Sequence, residues 1–160
     1  MINLFSRTTN SDLVHSRLYN EKTFYKAFSK DLKKAKREVV IESPFMTISR
    51  TTEILSLCHK AIKRGVKIKI YTRNPKDHSA GMRMQAYVAI KKLRNIGVKV
   101  KVCNDLRHRK ISIIDRSILW EGSLNMLSHR NSKELMRRTE SARMCRQIAS
   151  FVGLKKMPWW

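Results

Sequence analysis

The sequence has no apolar stretch that is long enough to cross a membrane. Over 160 residues, no apolar run approaches the roughly 20 residues that a spanning helix requires. The first ten residues contain no apolar signal core, because polar side chains interrupt them at once. These absences make a cytoplasmic location, with no stable membrane insertion, the default expectation.

Cysteine is scarce as well. Cys58, Cys103 and Cys145 are an odd number of residues, and none belongs to a C-x-x-C pair. This count argues against a disulfide framework and against a zinc knuckle. Cys58 and Cys103 fall on apolar faces of predicted elements, so we expect them to be buried, reduced thiols.

Acidic residues are the most pronounced deficit. Only 12 Asp and Glu accompany 35 Lys and Arg, which gives a net charge of +23. The basic residues are spread along the chain, and one dense stretch contains Lys91, Lys92, Arg94, Lys99, Lys101, Arg107, Arg109 and Lys110. A solvated surface is the simpler interpretation, but solubility rarely requires so one-sided a charge. The balance favours a polyanionic partner, with nucleic acid ahead of an anionic membrane surface.

The apolar residues follow helical and strand patterns in alternation. Helical spacing begins at Glu21 and recurs over about 51–64, 82–95 and 141–152. Strands are predicted at about 39–41, 66–71, 98–102, 109–114, 117–120 and 134–138. This alternation predicts a single α/β domain over residues 20–154. We expect an irregular N-terminal arm over residues 1–19 and a short tail over residues 155–160.

Two predicted strands alternate lysine with β-branched residues. The segments at 65–70 and 97–102 read G-V-K-I-K-I and G-V-K-V-K-V. A parallel strand that is covered on both faces reads as a continuous apolar run, and these two do not. Either the strands lie towards an edge of the sheet, or their lysine side chains line a basic surface.

One stretch combines residue types that suit chemistry at phosphorus. His108, Lys110 and Asp115 form H-x-K-x4-D, and the segment at 122–125 reads G-S-L-N. Alternate residues of a strand face the same side, so His108 and Lys110 project together. Asp115 falls at an odd offset from His108 and at a turn, so we expect it to support the strand end through backbone hydrogen bonds.

The chemistry that these residues could perform is displacement at a phosphate ester. His108 is the candidate nucleophile, Lys110 supplies positive charge, and Ser123 and Asn125 can donate hydrogen bonds to the transition state. The leaving oxygen needs a proton from the side opposite the nucleophile. No other histidine has the same sequence context, so the economical source is His108 of a second subunit. A lone histidine on a strand is usually a core residue, but the second motif favours a catalytic site.

The two motifs resemble those of the phospholipase D superfamily, in particular its small nuclease branch with a single motif. The resemblance covers roughly residues 20–152. It implies a phospholipase D-like catalytic domain with a mixed β-sheet flanked by helices on both faces, and a homodimer that completes the site. It also implies an orienting carboxylate after the second motif, where Glu134 lies at a shorter spacing than in some relatives. Glu42, at a strand end, is a weaker candidate.

These observations lead to a functional hypothesis with two alternatives. We expect a metal-independent phosphodiesterase that hydrolyses nucleic acid, with DNA ahead of RNA and with little base specificity, through a phosphohistidine intermediate. No metal and no cofactor are expected, because Lys110 on the same side as His108 would repel a dication. The alternatives are a phospholipase D-type hydrolase that acts on anionic phospholipid, and a non-catalytic nucleic-acid-binding helper domain.

Overall fold

A computed structural model describes residues 15–128 and 132–154. Strands and helices alternate along the chain in the following order: β1 (His15–Asn20), α1 (Phe24–Lys34), β2 (Glu38–Glu42), α2 (Ile48–Lys63), β3 (Lys67–Arg73), a 3-10 turn (Pro75–Asp77), α3 (Ala80–Asn95), β4 (Lys99–Cys103), β5 (Ile111–Ile114), β6 (Ile118–Gly122), β7 (Leu135–Glu140) and α4 (Ala142–Phe151).

The strands form one mixed sheet in the order β1-β7-β6-β5-β2-β3-β4. Strands β2, β3 and β4 are parallel to one another, since helices α2 and α3 provide the crossovers between them. The remaining neighbours are antiparallel. The mixed sheet of the predicted α/β fold is therefore confirmed.

Helices cover the two faces of the sheet unequally. Helices α1, α2 and α3 pack on one face, where Phe28, Cys58 and Leu93 lie in the same core as Trp120. Helix α4 packs on the opposite face, where Cys145 and Ala149 contact a smaller core of strand residues. Helices on both faces were predicted and are confirmed. All three cysteines are free and buried, as expected for reduced thiols at Cys58 and Cys103.

The expected irregular arm over residues 1–19 is wrong for its last five residues. Residues 15–19 belong to β1, which pairs with β7 in antiparallel register. Strand β1 is an edge strand, exposed over most of its length, so its sequence lacks the apolar alternation that predicts a half-buried strand. Residues 1–14 and the expected tail over 155–160 lie outside the described residues.

Element boundaries differ from the sequence prediction by a few residues. The predicted loop at 72–81 is shorter, because β3 continues to Arg73 and α3 begins at Ala80. The strand predicted at 109–114 begins at Ile111, so His108 and Lys110 precede it. The first helix begins at Phe24 instead of Glu21. Turn geometry decides these positions, and the spacing of apolar residues carries little information about it.

The structure also answers the question of the alternating lysines. Strand β4 is the other edge of the sheet and β3 is next to it. Ile68, Ile70 and Val100 point into the core beneath the three helices. The lysines of β3 and β4 therefore lie on the opposite face, where Lys67, Lys99 and Lys101 are exposed. Both interpretations apply, because the lysines line a basic surface and also lie at an edge.

Asp115 lies in the tight turn between β5 and β6, with its φ angle at 52° and that of Arg116 at 58°. Its carboxylate accepts hydrogen bonds from the backbone N–H groups of Lys36, Arg37 and Glu38, at 2.9, 2.8 and 3.0 Å. These amides lie just before β2 and at its first residue, so the carboxylate ties the hairpin to the start of the central strand. The side chain thus has the backbone contacts that its position in the sequence predicts.

We expect Asp115→Ala to lower the free energy of unfolding by about 1–3 kcal/mol, because three backbone amides lose a charged acceptor. Urea unfolding would measure this change. Asp115→Asn keeps one acceptor oxygen and tolerates positive φ, so its loss should be smaller. Asp77→Ala, which removes only a 3.7 Å ion pair with Arg73, is the control, with about 0.5 kcal/mol or less. An Asp115→Ala protein as stable as the control would contradict this role.

Candidate active site

Three segments of chain converge where the central strands β2, β5 and β6 end on the same side of the sheet. Ile111 is paired with Glu42 on β2 and with Glu121 on β6. The residues before β5, after β2 and after β6 therefore leave the sheet side by side. The backbone N–H of Thr47 donates to the carbonyl of Leu127 over 2.8 Å and joins the last two of these segments. The segments that converge here carry His108, Lys110, Ser123 and Asn125.

His108 and Lys110 are in direct contact. The Lys110 ammonium lies 2.7 Å from Nδ1 and 3.3 Å from Nε2 of the imidazole, and it donates to the His108 carbonyl over 2.6 Å. Lys110 is buried, whereas His108 is exposed. A charged lysine can only donate, so the imidazole nitrogen that it contacts acts as the acceptor. The pair presents an imidazole to solvent with a cation behind it.

A buried carboxylate fixes the segment that carries the histidine. Glu42 is fully buried at the end of β2. Arg109 donates to it from Nε over 2.9 Å and from Nη2 over 3.3 Å, and Nη1 of Arg107 lies 3.5 Å away. The two arginines flank His108 in sequence, so Glu42 binds both neighbours of the candidate nucleophile. The sequence suggested Glu42 only through its place at a strand end; its two partners depend on tertiary structure.

Two further rings adjoin the imidazole. The Phe45 ring lies 5.9 Å from that of His108 at 81° and 4.9 Å from that of His78. His78 is 6% exposed, and within the described residues neither ring nitrogen has a hydrogen-bond partner. Burial lowers the pKa of His78, and the positive charge of Arg73 lowers it further. His78 is therefore a buried residue whose neutral form is favoured, although it lies in a loop between β3 and α3.

Ser123 and Glu134 are hydrogen-bonded to each other. The Ser123 hydroxyl donates to the Glu134 carboxylate, and the same carboxylate accepts from Ser132 over 2.6 Å. The backbone N–H of Leu135 donates to the Ser123 hydroxyl over 3.1 Å. These bonds orient Ser123 from the start of β7. The expected action of Glu134 on the imidazole stays a prediction.

The second motif is anchored by its apolar residues. Leu124, Met126 and Leu127 are buried in the main core, so Ser123 and Asn125 alternate with them towards the site. A side chain at Gly122 would approach the Met136 Cα to 2.9 Å, which leaves room only for glycine beside β7. The spacing of G-S-L-N thus has a packing reason as well as a chemical one.

Asn125 and Glu134 line a pocket with residues that the sequence did not indicate. Tyr25, Arg50 and Ser128 are among the other residues that line it. The Tyr25 hydroxyl donates to the carbonyls of Asn125 and Ser128 over 3.4 Å each, and the Arg50 guanidinium lies 3.4 Å from the centre of the Tyr25 ring. Burial raises the pKa of Tyr25 to about 12. Both residues lie on predicted helices, and only packing brings them here.

Two side chains that line the pocket have buried polar atoms without a hydrogen-bond partner among the described residues. Asn125 Oδ1 and Ser128 Oγ are buried, and in the described part of the chain neither forms a hydrogen bond. Buried polar atoms without partners cost free energy unless a ligand or water satisfies them. The arrangement of imidazole, ammonium, hydroxyl and amide groups is suited to binding an anion with several oxygen atoms.

The described ranges contain neither a metal-binding cluster of side chains nor a membrane-spanning helix. Residues 15–128 and 132–154 hold no group of three or more His, Cys, Asp or Glu side chains that could bind a metal ion. The ammonium of Lys110 lies against both imidazole nitrogens of His108, where it would repel a cation. In the same ranges no helix is long and apolar enough to span a membrane.

Comparisons with known proteins bear on the family and the fold of this chain. A family model described as cardiolipin synthase, PLD-like domain, matches residues 28–152. The fold is similar to that of Nuc, a phospholipase D family member from Salmonella typhimurium, with a TM-score of 0.72, 15% identity, and 86% of this chain and 91% of that chain covered. It is also similar to NucT from Helicobacter pylori, with a TM-score of 0.70, 18% identity, and 86% and 92% covered.

A third similar structure is larger. The archaeal chromatin protein TrmBL2, described with a novel mode of DNA binding, has a TM-score of 0.62 and 13% identity, with 91% of this chain and 53% of that chain covered. A comparison with curated protein sequences finds no match. Identities this low show a shared fold alone.

We expect Glu42→Gln to lower the free energy of unfolding by about 1–3 kcal/mol, because two guanidinium groups lose their buried counter-charge. The value lies below that of a fully buried pair because the Arg109 side chain is 44% exposed. Chemical denaturation would measure it. Glu140→Gln, at a half-exposed carboxylate paired with Arg138, is the matched control, with a change of about 1 kcal/mol or less. Equal effects in the two variants would contradict the special role of Glu42.

Proposed function

Because the chain belongs to the phospholipase D-like family, we propose that it is a phosphodiesterase that hydrolyses nucleic acid, with DNA as the preferred substrate. The observation that carries this proposal is the exposed imidazole of His108 with the Lys110 ammonium 2.7 Å from its Nδ1. A nucleophile next to a fixed positive charge is what attack on an anionic phosphodiester requires.

The reaction proceeds in two displacements at phosphorus. A nitrogen of His108 forms a bond to phosphorus, and the bond from phosphorus to the leaving oxygen breaks. That oxygen takes a proton from a group on the opposite side. Water then attacks the phosphohistidine and gives a proton to the group that protonated the leaving oxygen. The nitrogen–phosphorus bond breaks, and a phosphate monoester leaves with the imidazole and the acid both restored. No metal ion takes part in either step of this proposal.

Lys110, Ser123 and Asn125 stabilise the charge that develops on the phosphate oxygens. In the free site the ammonium is directed at Nδ1 of His108. The negative oxygens of a bound phosphate compete for that ammonium. Nδ1 of His108 then loses this contact and becomes available for proton exchange. Asn125 adds an amide and Ser123 a hydroxyl, whose orientation depends on Glu134. Fixed donors of this kind stabilise a transition state more than they stabilise the substrate.

The proton for the leaving group comes from His108 of a second subunit. Among the described residues, the other histidines do not meet the site: His78 lies beyond the Phe45 ring, His59 is on α2 and His15 is on β1. In-line displacement requires the acid on the side opposite the nucleophile. A two-fold axis through the site supplies it, so the homodimer is part of the mechanism.

The charge of the chain supports nucleic acid as the substrate. A net charge of +23 matches a polyanion, and TrmBL2, which shares the fold, is described as binding DNA. No base-reading motif is visible in the sequence, so contacts to phosphates should dominate. Anionic phospholipid is the second candidate, because the matching family model is described as cardiolipin synthase. A non-catalytic DNA-binding domain is the third.

Labelled DNA, labelled RNA and vesicles of anionic phospholipid, each incubated in excess chelator, test this proposal. We expect wild-type protein to cleave DNA, and His108→Ala to lose at least about 1,000-fold in rate. His59→Ala, at an exposed histidine of α2, is the matched control and should keep full activity. Cleavage of lipid alone, binding without cleavage, or activity that depends on an added divalent ion would each overturn the proposal.

Mixed dimers test the shared site. Wild-type and His108→Ala chains would be co-refolded at varied ratios, and total cleavage measured at fixed total protein. If each site needs His108 from both chains, activity follows the square of the wild-type fraction, since only wild-type pairs are active. Activity that falls in direct proportion to the wild-type fraction would contradict the shared site, as would a fully active monomer.

A further inference from the structure

Helix α4 leaves one part of its sheet face uncovered. Its buried residues Cys145 and Ala149 pack over β2, β5 and β6, in a core with Val40, Ile113 and Leu119. Over β3 and β4 the same face carries Lys69, Lys99 and Lys101, which we call the lysine face. Lys99 and Lys101 are exposed and Lys69 is half-buried. The alternate residues of these strands, Ile68, Ile70 and Val100, belong to the core beneath α1–α3. The lysines therefore face away from that core.

Three cationic side chains lie around the ring of Tyr71, at the border of this surface. The Tyr71 ring is buried, and its centre lies 4.9 Å from the Lys69 ammonium, 5.9 Å from that of Lys101 and 5.5 Å from the Arg107 guanidinium. Contact with a ring face stabilises each cation, but the cations repel one another. Partial burial lowers the pKa of Lys69. An anion placed above the three cations would relieve that repulsion.

The two strands of the lysine face supply basic side chains and no acidic ones. Strands β3 and β4 contain no Asp or Glu. Glu42 and Asp105, which lie next to these strands, pair with arginines: Glu42 binds Arg109 and Arg107, and Asp105 binds Arg107.

Protection of the sheet edge explains only part of this pattern. Lysines on an edge strand discourage pairing with another chain, and Lys99 and Lys101 lie on the edge strand β4. Lys69 lies on β3, which is paired on both sides, and Arg107 follows β4 in a loop. Neither of these two has an edge to protect.

The lysine face is continuous with the candidate active site. Tyr71 is the register partner of Glu42, whose carboxylate binds Arg107 and Arg109 on either side of His108. Lys101 in turn is the register partner of Tyr71. Neighbouring strands are about 4.8 Å apart, so the surface begins beside the site and extends over about 10 Å to the edge.

We propose that the lysine face binds the phosphodiester backbone of nucleic acid, at phosphates next to the one that meets His108. This inference rests on the proposed function for its ligand, but not on catalysis. Lysines on an open sheet face contact phosphates and not base edges, so the contribution is independent of base sequence and weakens as salt rises. Such a surface holds the strand while His108 acts on one phosphate.

The test compares two triple variants of equal charge in the full-length His108→Ala protein, which binds without cleaving. One carries Lys69→Gln, Lys99→Gln and Lys101→Gln. The matched control carries Lys60→Gln, Lys63→Gln and Lys91→Gln, at exposed positions of α2 and α3. Fluorescence anisotropy with labelled single-stranded and duplex DNA, over a range of salt, gives the dissociation constants.

We expect the lysine-face variant to bind at least about 10-fold more weakly and to lower the slope of log affinity against log salt by about 2, because three phosphate contacts are lost. The control triple should change the slope by less than about 1. The matching Lys→Arg triple should restore binding, and thermal unfolding confirms that each variant is folded.

Equal weakening in both Gln triples would overturn the inference, because total charge would then explain the binding. Failure of the Arg triple to restore binding in a folded protein would do so as well, and so would binding to anionic vesicles in place of DNA. Failure of the proposed function looks different: wild-type protein would not cleave DNA, while binding would still depend on the lysine face. Cleavage by wild type with unchanged binding in the lysine-face variant would overturn this inference alone.

Discussion

The ion pairs of Glu42 connect the core of the sheet to the reactive segment. Glu42 ends the central strand β2 with its carboxylate fully buried, and it binds Arg107 and Arg109 on either side of His108. A buried carboxylate is costly unless it is paired, so the segment before β5 has one favourable position. The contact between Lys110 and the His108 ring, and the course of the chain towards Tyr71, both follow from that position.

The two faces of the sheet have separate tasks. Three helices and the buried Trp120 make one face the main core, and this face carries the stability of the domain. On the other face, α4 is the only helix among the described residues, and it covers the centre of the sheet. Strands β3 and β4, which extend beyond α4, expose charged side chains on this face, because their side chains alternate between the core and solvent. A strongly basic chain can thus build an apolar interior and a basic surface from the same two strands.

Local periodicity predicted the α/β pattern, and the resemblance carried by the two motifs implied the mixed sheet with helices on both faces. His108 and Lys110 were expected to share a side of a strand; they are in contact, but both precede β5. Strand β1 was missed, because an exposed edge strand has no apolar pattern. Tyr25, Arg50 and Phe45 were missed because their position near the motif residues depends on how helices and loops pack. The backbone contacts of Asp115 were predicted in kind, but not their partners before β2.

The sequence by itself determined the sign of the charge and the residue types of the candidate site, because these do not depend on the fold. It also predicted the alternation of core residues with lysines on β3 and β4, because side chains of a strand alternate with a period of two. On β2 and β5 every residue is buried, so that period does not decide burial there. Tertiary structure alone decided that Glu42 binds both neighbours of His108 and that the lysines of β3 and β4 lie together next to that site. Both depend on strand order and register, which join residues far apart in the chain.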